Sequence, residues 1–319
     1  MTGKPVLDEG DWCAAYHEPV LVARVVEALV GEERRLIVDG TIGTGGHTLA
    51  LLEADETVRV LGLDRDRASL KVAERRLDKF SDRITLIHRS YAEVGEALKE
   101  VGWEGADGIL LDLGVSTFQL AGRGRGFSFQ REEPLDCRFD PTSGDPPACE
   151  LLQQLSEREL AELINRFGEE RGARRIARAI KEKKPRTTLQ LAELVCRVKG
   201  RDPEQPGTRI HPATKTFQAL RIAVNRELEH LEAFLRRFAA YLRPGGRCAV
   251  ISYHSLEDRL VKRTFSALKA EGVGEVITRR PVRPAAEEVA RNPRSRSARL
   301  RVFERAGRRA CAGSTGGKL

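Results

Sequence analysis

The segment Leu36-Ile-Val-Asp-Gly-Thr-Ile-Gly-Thr-Gly-Gly-His47 constrains the fold more than any other part of the chain. An apolar run ends in an acid, passes a turn holding Gly43, Gly45 and Gly46, and enters a helical pattern. A second apolar run, Val58-Arg-Val-Leu-Gly-Leu-Asp64, ends in another acid 19 residues after Gly45. Only a backbone without Cβ turns this tightly and lets a ligand lie against it. The layout is that of a Rossmann-type nucleotide site, with the second acid placed to accept from ribose hydroxyls. A βαβ turn that binds nothing, with an ordinary acid at a strand end, has the same outline.

The details point away from a dinucleotide. Pyrophosphate seated on the helix N-terminus calls for a third glycine at the sixth position, and counting from Gly43 that position is Thr48. Asp39 instead closes the first strand, and Asp112 closes Gly108-Ile-Leu-Leu-Asp112. Carboxylates crowding the strand tips suit a cationic ligand. S-adenosylmethionine carries a sulfonium and an ammonium and no phosphate, so it is the expected cofactor.

Apolar strands alternate with helical stretches up to Asp112: helix Thr48–Glu53, strand Val58–Leu63, helix Ala68–Phe80, strand Ile84–His88, a short helix near Ala92–Val101 and strand Gly108–Leu111. Such alternation gives a parallel sheet covered on both faces. The pattern then breaks into glycine-rich and proline-rich loops and helices, including a capping box at Ser156-x-x-Glu159 and a helix Leu189–Val198 with Thr188 as its cap. From Ala213 a long helix is expected, because Phe217, Leu220, Val224, Leu228, Leu231, Leu235, Phe238 and Leu242 step by three or four as one stripe facing the sheet. It ends at Arg243-Pro-Gly-Gly246, and strands at Arg247–Ser252 and Leu300–Glu304 return to the sheet. The expected architecture is an α/β, Rossmann-like class I methyltransferase fold with an inserted helical subdomain. Residues 1–121 and 213–306 form the two parts of the main domain, 122–212 the insertion for substrate recognition, and 307–319 a disordered tail.

A chain of 319 residues with net charge +8 makes a polyanion a plausible partner. Six scattered cysteines, without a Cys-x-x-Cys pair, predict reduced thiols, no metal site and a cytoplasmic protein. No apolar run approaches the ~18 residues of a membrane span and no signal-peptide core is present, so no membrane partner is expected.

Several further motifs carry a family resemblance. Together with Asp39–His47 they are Asp112-Leu-Gly-Val-Ser116, Gly126-Phe-Ser-Phe129, Pro134-Leu-Asp-Cys-Arg-Phe-Asp140, Phe167-Gly-Glu-Glu-Arg171, the run from Ile210 to Leu228 opening His211-Pro-Ala-Thr-Lys-Thr-Phe217, and Ser252-Tyr-His-Ser-Leu-Glu-Asp-Arg259. In this order, from about residue 17 to 305, they resemble the RsmH (MraW) family. Its members are S-adenosylmethionine-dependent methyltransferases that modify N4 of a cytidine in the decoding region of bacterial 16S rRNA. The resemblance implies rRNA base methylation, with the small ribosomal subunit as partner; a homodimer is left open. It further implies cofactor contacts at Gly45, Gly46, His47, Asp64, Tyr91, Asp112 and Gln119. The chain departs from the family in having Tyr91 for the usual Phe, and Ser116-Thr-Phe-Gln-Leu-Ala121 for Ser-Ser-Pro-Gln-Leu-Asp.

The substrate's chemistry selects the catalytic candidates. The amino lone pair of cytosine is delocalised into the ring, so a methyltransferase must accept hydrogen bonds from the amino group and hold it in line with the methyl. Asp112 stands where DNA amino-methyltransferases carry a Pro-Pro-aromatic motif, which is absent here. His254 could orient the base or relay a proton, or be a hydrogen-bonded loop histidine. Asn225 could reach the site or hold a buried hydrogen-bond network. Phe127, Phe129 and Tyr253 are candidates to sandwich the base, with subdomain packing as the other reading of the phenylalanines.

RNA contact is expected from two basic clusters, Arg171–Arg186 with Arg174, Arg175 and Arg178, and Arg291–Arg301 with Arg294, Arg296 and Arg299. A solvated basic face is the plainer reading. A non-catalytic assembly factor is the main alternative function, but it predicts decay of the glycine loop or of Asp64, and both are intact. A DNA N4-cytosine methyltransferase is the other, and it would bring the missing Pro-Pro-aromatic motif.

Overall fold

A computed structural model describes residues 19–32, 34–121, 124–203 and 211–307. The expected tail, the start of the motif region near residue 17, and Cys13 and Cys311 lie outside them. The strands are β1 (Leu36–Asp39), β2 (Arg59–Asp64), β3 (Ile84–His88), β4 (Ala106–Asp112), β5 (Leu242–Ser252), β6 (Gly274–Val276) and β7 (Arg299–Arg305). The helices of the first half are α1 (Val22–Leu29), α2 (Gly46–Ala54), α3 (Arg67–Arg76), α4 (Val94–Glu100), α5 (Thr117–Ala121), α6 (Ala148–Gln154) and α7 (Glu157–Gly168). Those of the second half are α8 (Ala173–Lys183), α9 (Thr188–Val198), α10 (Thr214–Asn225), α11 (Glu227–Leu235), α12 (Phe238–Tyr241), α13 (Ser255–Ala270) and α14 (Ala286–Arg291).

The chain divides into two compact units. The first holds the described parts of Glu18–Asp64, Ala73–Gly114 and Leu231–Leu319. Its strands form one sheet in the order β3-β2-β1-β4-β5-β7-β6. β3, β2, β1, β4 and β5 pair in parallel, and β7 is antiparallel to both β5 and β6. The parallel strands read as unbroken apolar runs because both their faces are covered, as Val38, Leu61, Leu63, Ile109 and Leu111, none of them exposed, illustrate. After β1 the chain builds outward through β2 and β3, then returns to lay β4 on the other side of β1. That reversal opens a crevice at the carboxyl ends of β1 and β4, where ligands of such sheets bind.

The second unit, Arg65–Val72 with the described parts of Val115–His230, reaches beyond 122–212 on both sides. Its core packs Leu160 and Ile164 of α7, Ile176 and Ile180 of α8, Leu191 and Val195 of α9, and Phe217, Leu220 and Val224 of α10. Lys181, from the first basic cluster, turns inward and donates to the carbonyls of Leu152, Gln153 and Leu155 at the end of α6.

The expected single helix from Ala213 is corrected to three. Arg226 adopts a left-handed φ of 51° and breaks the stripe after Asn225. Phe217, Leu220 and Val224 pack in the insertion core, whereas Leu231, Leu235, Phe238 and Leu242 pack in the core of the sheet unit. One apolar stripe therefore serves two cores. The cap of α9 is Thr187, in a capping box with Gln190, rather than Thr188. Arg243–Gly246, expected as a turn, is the first half of β5.

Candidate active site

Three parallel strands end in acids, and each acid has different work. Asp39, at the tip of β1, is buried; its carboxylate accepts from Thr48 Oγ1 at 2.7 Å and from the Thr41 N–H at 3.2 Å. Burial raises its pKa against the pull of those hydrogen bonds. Asp39 thus ties the strand to the first turn of α2. Asp64, at the tip of β2, accepts from the Gly43 N–H at 2.8 Å and braces the glycine turn from the neighbouring strand. Gly43 and Gly45 have φ of 53° and 81°, and a Cβ at Gly45 would stand 2.8 Å from Leu77, so both the turn and its packing require glycine there. Tyr91 begins a short turn capped by Ser90, and its ring meets Phe234 edge-on at 6.0 Å.

Asp112, at the tip of β4, is the acid with reactive surroundings. Its N–H donates to Thr41 Oγ1 at 2.6 Å, which fixes the strand end. The hydroxyl of Tyr253 donates to Oδ1 at 2.9 Å, and Oδ2 lies 3.6 Å from Nδ1 of His47. Burial pushes the Asp112 carboxyl up to about 6; His47 and the Tyr253 hydrogen bond oppose the rise, and Asp39 and Glu257 add to it. The Tyr253 hydroxyl is in turn held well above its ordinary range by burial and by the adjoining carboxylate.

His254 caps α13. Its Nδ1 accepts from the Glu257 N–H at 3.4 Å, while Glu257 Oε2 accepts from the backbone N–H groups of Tyr253 and His254 at 2.9 and 3.2 Å. Its Nε2 lies 3.0 Å from Glu257 Oε1. Nδ1 is therefore committed to the helix start, in a capping box that a search for Ser, Thr, Asp or Asn caps passes over, while Nε2 is buried without a hydrogen-bond partner among the described residues.

In the insertion unit, Asn225 is buried and every polar atom of its side chain is in use. Nδ2 donates to the carbonyls of Cys137 and Arg221 at 2.7 and 2.9 Å, and Oδ1 accepts from the Phe139 N–H at 2.7 Å. Asn225 thereby clamps the Pro134–Asp140 loop to the end of α10. Gln119 is likewise engaged: Oε1 accepts from the Ser116 N–H at 3.0 Å and Nε2 donates to Asp66 Oδ2 at 3.0 Å. Asp66, which the sequence reading passed over, is the hub of this unit's loops. It accepts from the Ala68 N–H, Ser69 Oγ, Gln119 Nε2 and Arg125 Nη2, and Arg125 reaches on to the Phe139 carbonyl. An acid one residue ahead of α3 was the available signal, since that is where an N-capping side chain belongs. Phe127 stacks on Phe139 at 5.7 Å, and Phe129 on His211 at 4.5 Å, so both phenylalanines pack within the insertion.

The basic clusters separate into exposed and committed members. Arg174, Arg175 and Arg178 stand on the outer face of α8, with Ile176, Ala177 and Ile180 buried behind them, and Arg178 approaches Glu157 at 3.5 Å. Arg294 and Arg296 are exposed. Arg299 pairs with Asp258 at 3.3 Å, and the buried Arg301 holds the same carboxylate at 2.7 Å. No helix among the described residues is long and apolar enough to cross a membrane.

A glycine cradle at the head of the sheet, backed by acids on three adjoining parallel strands, fits S-adenosylmethionine. Its ribose hydroxyls and ammonium need acceptors, and carboxylates supply them. Fold and site together define a Rossmann-like, S-adenosylmethionine-dependent methyltransferase. The family model of the MraW methylase family matches residues 14–306, and the chain belongs to that family. Among similar proteins is the "Ribosomal RNA small subunit methyltransferase H" of Thermotoga neapolitana, 50% identical over 292 residues, covering 91% of this chain and 96% of that protein. The protein of the same name from Sorangium cellulosum is 47% identical, covering 91% of each. Among solved structures, a SAM-dependent O-methyltransferase from Thermotoga maritima is 12% identical and covers 90% of this chain and 65% of that one, with a TM-score of 0.40.

Proposed function

We propose that the protein transfers a methyl group from S-adenosylmethionine to N4 of a cytidine in the 16S rRNA of the small ribosomal subunit, in the cytoplasm. The observation that carries the proposal is the Asp112 carboxyl, raised to about 6 and oriented by Tyr253 at the carboxyl end of β4. When bound, the cofactor supplies an electrophilic methyl on a positively charged sulfur. Gly45, Gly46 and Asp64 hold it, with Tyr91 beside its adenine; Asp112 accepts a hydrogen bond and then a proton from the substrate amino group. With a carboxyl near 6, most of the protein at neutral pH has Asp112 ionised and able to accept.

The remaining roles follow from the partners each residue has. Asn225 and Gln119 shape the substrate-side loops through the hydrogen bonds they already make, and His254 fixes the start of α13 behind Tyr253. Arg174, Arg175, Arg178, Arg294 and Arg296, all exposed, meet RNA phosphates, the last two flanked by Asn292, Ser295 and Ser297. Arg299 contributes indirectly, through its pairing with Asp258. The insertion recognises the substrate, and the sheet unit binds the cofactor. Incubating the protein with S-adenosylmethionine and small-subunit rRNA or subunits, then digesting the RNA for nucleoside mass spectrometry, tests the proposal. N4-methylcytidine at one position is expected; methylation of a different atom or base would refute it.

A further inference from the structure

Methylating an exocyclic amine releases one proton per turnover. The N–C bond forms as the C–S bond breaks with its electron pair going to sulfur, and one N–H hydrogen leaves as a proton. If Asp112 takes that proton, the carboxyl must lose it again before the next cycle, and among the described residues its surroundings offer one neutral base.

That base is Nδ1 of His47, 3.6 Å from Asp112 Oδ2, a gap that a shift of about 1 Å closes to hydrogen-bond length. The tautomer follows from the other ring nitrogen. Nε2 lies 2.8 Å from the Val20 carbonyl oxygen, which only accepts, so Nε2 carries the hydrogen and Nδ1 of the neutral ring presents a lone pair to the carboxyl. The ring is 7% exposed and sits in the first turn of α2, where Gly46 packs against Pro19. The other titratable groups facing the pair are Asp39 of β1, Glu257 of α13 and Tyr253 after β5. Two of these are acids and the third is a phenol, so an imidazolium formed here sits among carboxylates and, among the described residues, meets no cation.

We propose that His47 and Asp112 act as one proton-sharing pair in which His47 Nδ1 receives the proton that Asp112 takes from the substrate, with Tyr253 fixing the carboxyl's orientation. This rests on Asp112 as the acceptor and goes beyond contact between His47 and the cofactor.

His47→Gln tests the idea, because the Gln amide can still donate to the Val20 carbonyl while leaving no base opposite Asp112. Steady-state kcat for methyl transfer at saturating S-adenosylmethionine and RNA should slow about 10- to 100-fold, because the carboxyl must be reset between cycles. The acid limb of its pH profile should move upward, since only the charged form of His47 lowers the Asp112 carboxyl and that charge is gone. Tyr253→Phe should also move the limb upward, because its hydrogen bond stabilises the carboxylate, with a smaller loss at the plateau. Independently of turnover, nitrogen NMR of the free protein should show the Nε2–H tautomer of His47 at high pH, and its titration should change in Asp112→Asn. A His47→Gln enzyme with the wild-type rate and limb at saturation, and only a raised KM for the cofactor, would overturn the proposal, as would an Nδ1–H tautomer. If Asp112→Asn itself turns over at the wild-type rate, the acceptor assignment underneath has failed instead.

Discussion

Replacing Asn225 by Ala separates a residue that does chemistry from one that holds a loop. The substitution removes three hydrogen bonds, but they are not equal. The Arg221 carbonyl lies inside α10, where the helix ladder still serves it. The Cys137 carbonyl and the Phe139 N–H sit on the Pro134–Asp140 loop, and each loses a partner at 2.7 Å. A buried polar group left unpaired costs about 1–3 kcal/mol, so two such groups, one of them only partly buried, predict a loss of about 2–4 kcal/mol. Urea unfolding followed by helical ellipticity reads this directly, because the insertion unit is built of helices. The midpoint should fall by that equivalent, and methyl transfer by the fraction still folded should weaken mainly through a higher KM for RNA. Stability within about 0.5 kcal/mol of wild type, together with a collapsed single-turnover rate, would refute the loop-holding account and return Asn225 to the reacting atoms.

Four other outcomes are expected. Asp64→Ala should weaken S-adenosylmethionine binding by about 2–3 kcal/mol in titration calorimetry, the cost of losing hydrogen bonds to a charged acceptor; unchanged affinity would contradict the ribose assignment. Gly126→Ala should destabilise the insertion by more than about 2 kcal/mol in the same urea assay, since φ is 69° and a Cβ would stand 2.6 Å from the Asp136 nitrogen and the Pro134 oxygen. Replacing Arg294 and Arg296 should lower the salt slope of RNA binding by about one unit per arginine while leaving cofactor affinity unchanged, whereas salt-independent RNA binding would mean a solvated surface. With Asp112 pushed up to about 6 and active only when ionised, the single-turnover rate should rise with pH through that value and level off above it.

The sheet was legible because each parallel strand is an apolar run bounded by turn residues; Ile84–His88 agrees to the residue, and β1, β2 and β4 to within one or two. The break at Arg226 was not. Arg226 is an exposed left-handed cap whose N–H bonds the Ala223 and Ile222 carbonyls without a glycine to announce it, and the apolar step of three or four continues across it, so periodicity alone cannot reveal that Val224 and Leu231 serve different cores. The first half of β5 was hidden by Pro244-Gly-Gly246, a sequence that ordinarily makes a turn. At the site, the acids at the strand tips followed from the pattern, because strand ends are fixed by local sequence. The partners of those acids did not. Tyr253 lies 141 residues from Asp112, and only the pairing of β4 with β5 sets its hydroxyl against that carboxylate.

The central claim is that Asp112 accepts the substrate's amino proton, and Asp112→Asn tests it most directly, because Asn keeps the shape and removes the charge. The measurement is single-turnover methyl transfer to small-subunit rRNA or subunits at saturating S-adenosylmethionine, so that weaker cofactor binding drops out. The account predicts a folded protein whose rate falls at least about 100-fold. Transfer at the wild-type rate would contradict it and leave Asp112 as a cofactor ligand alone.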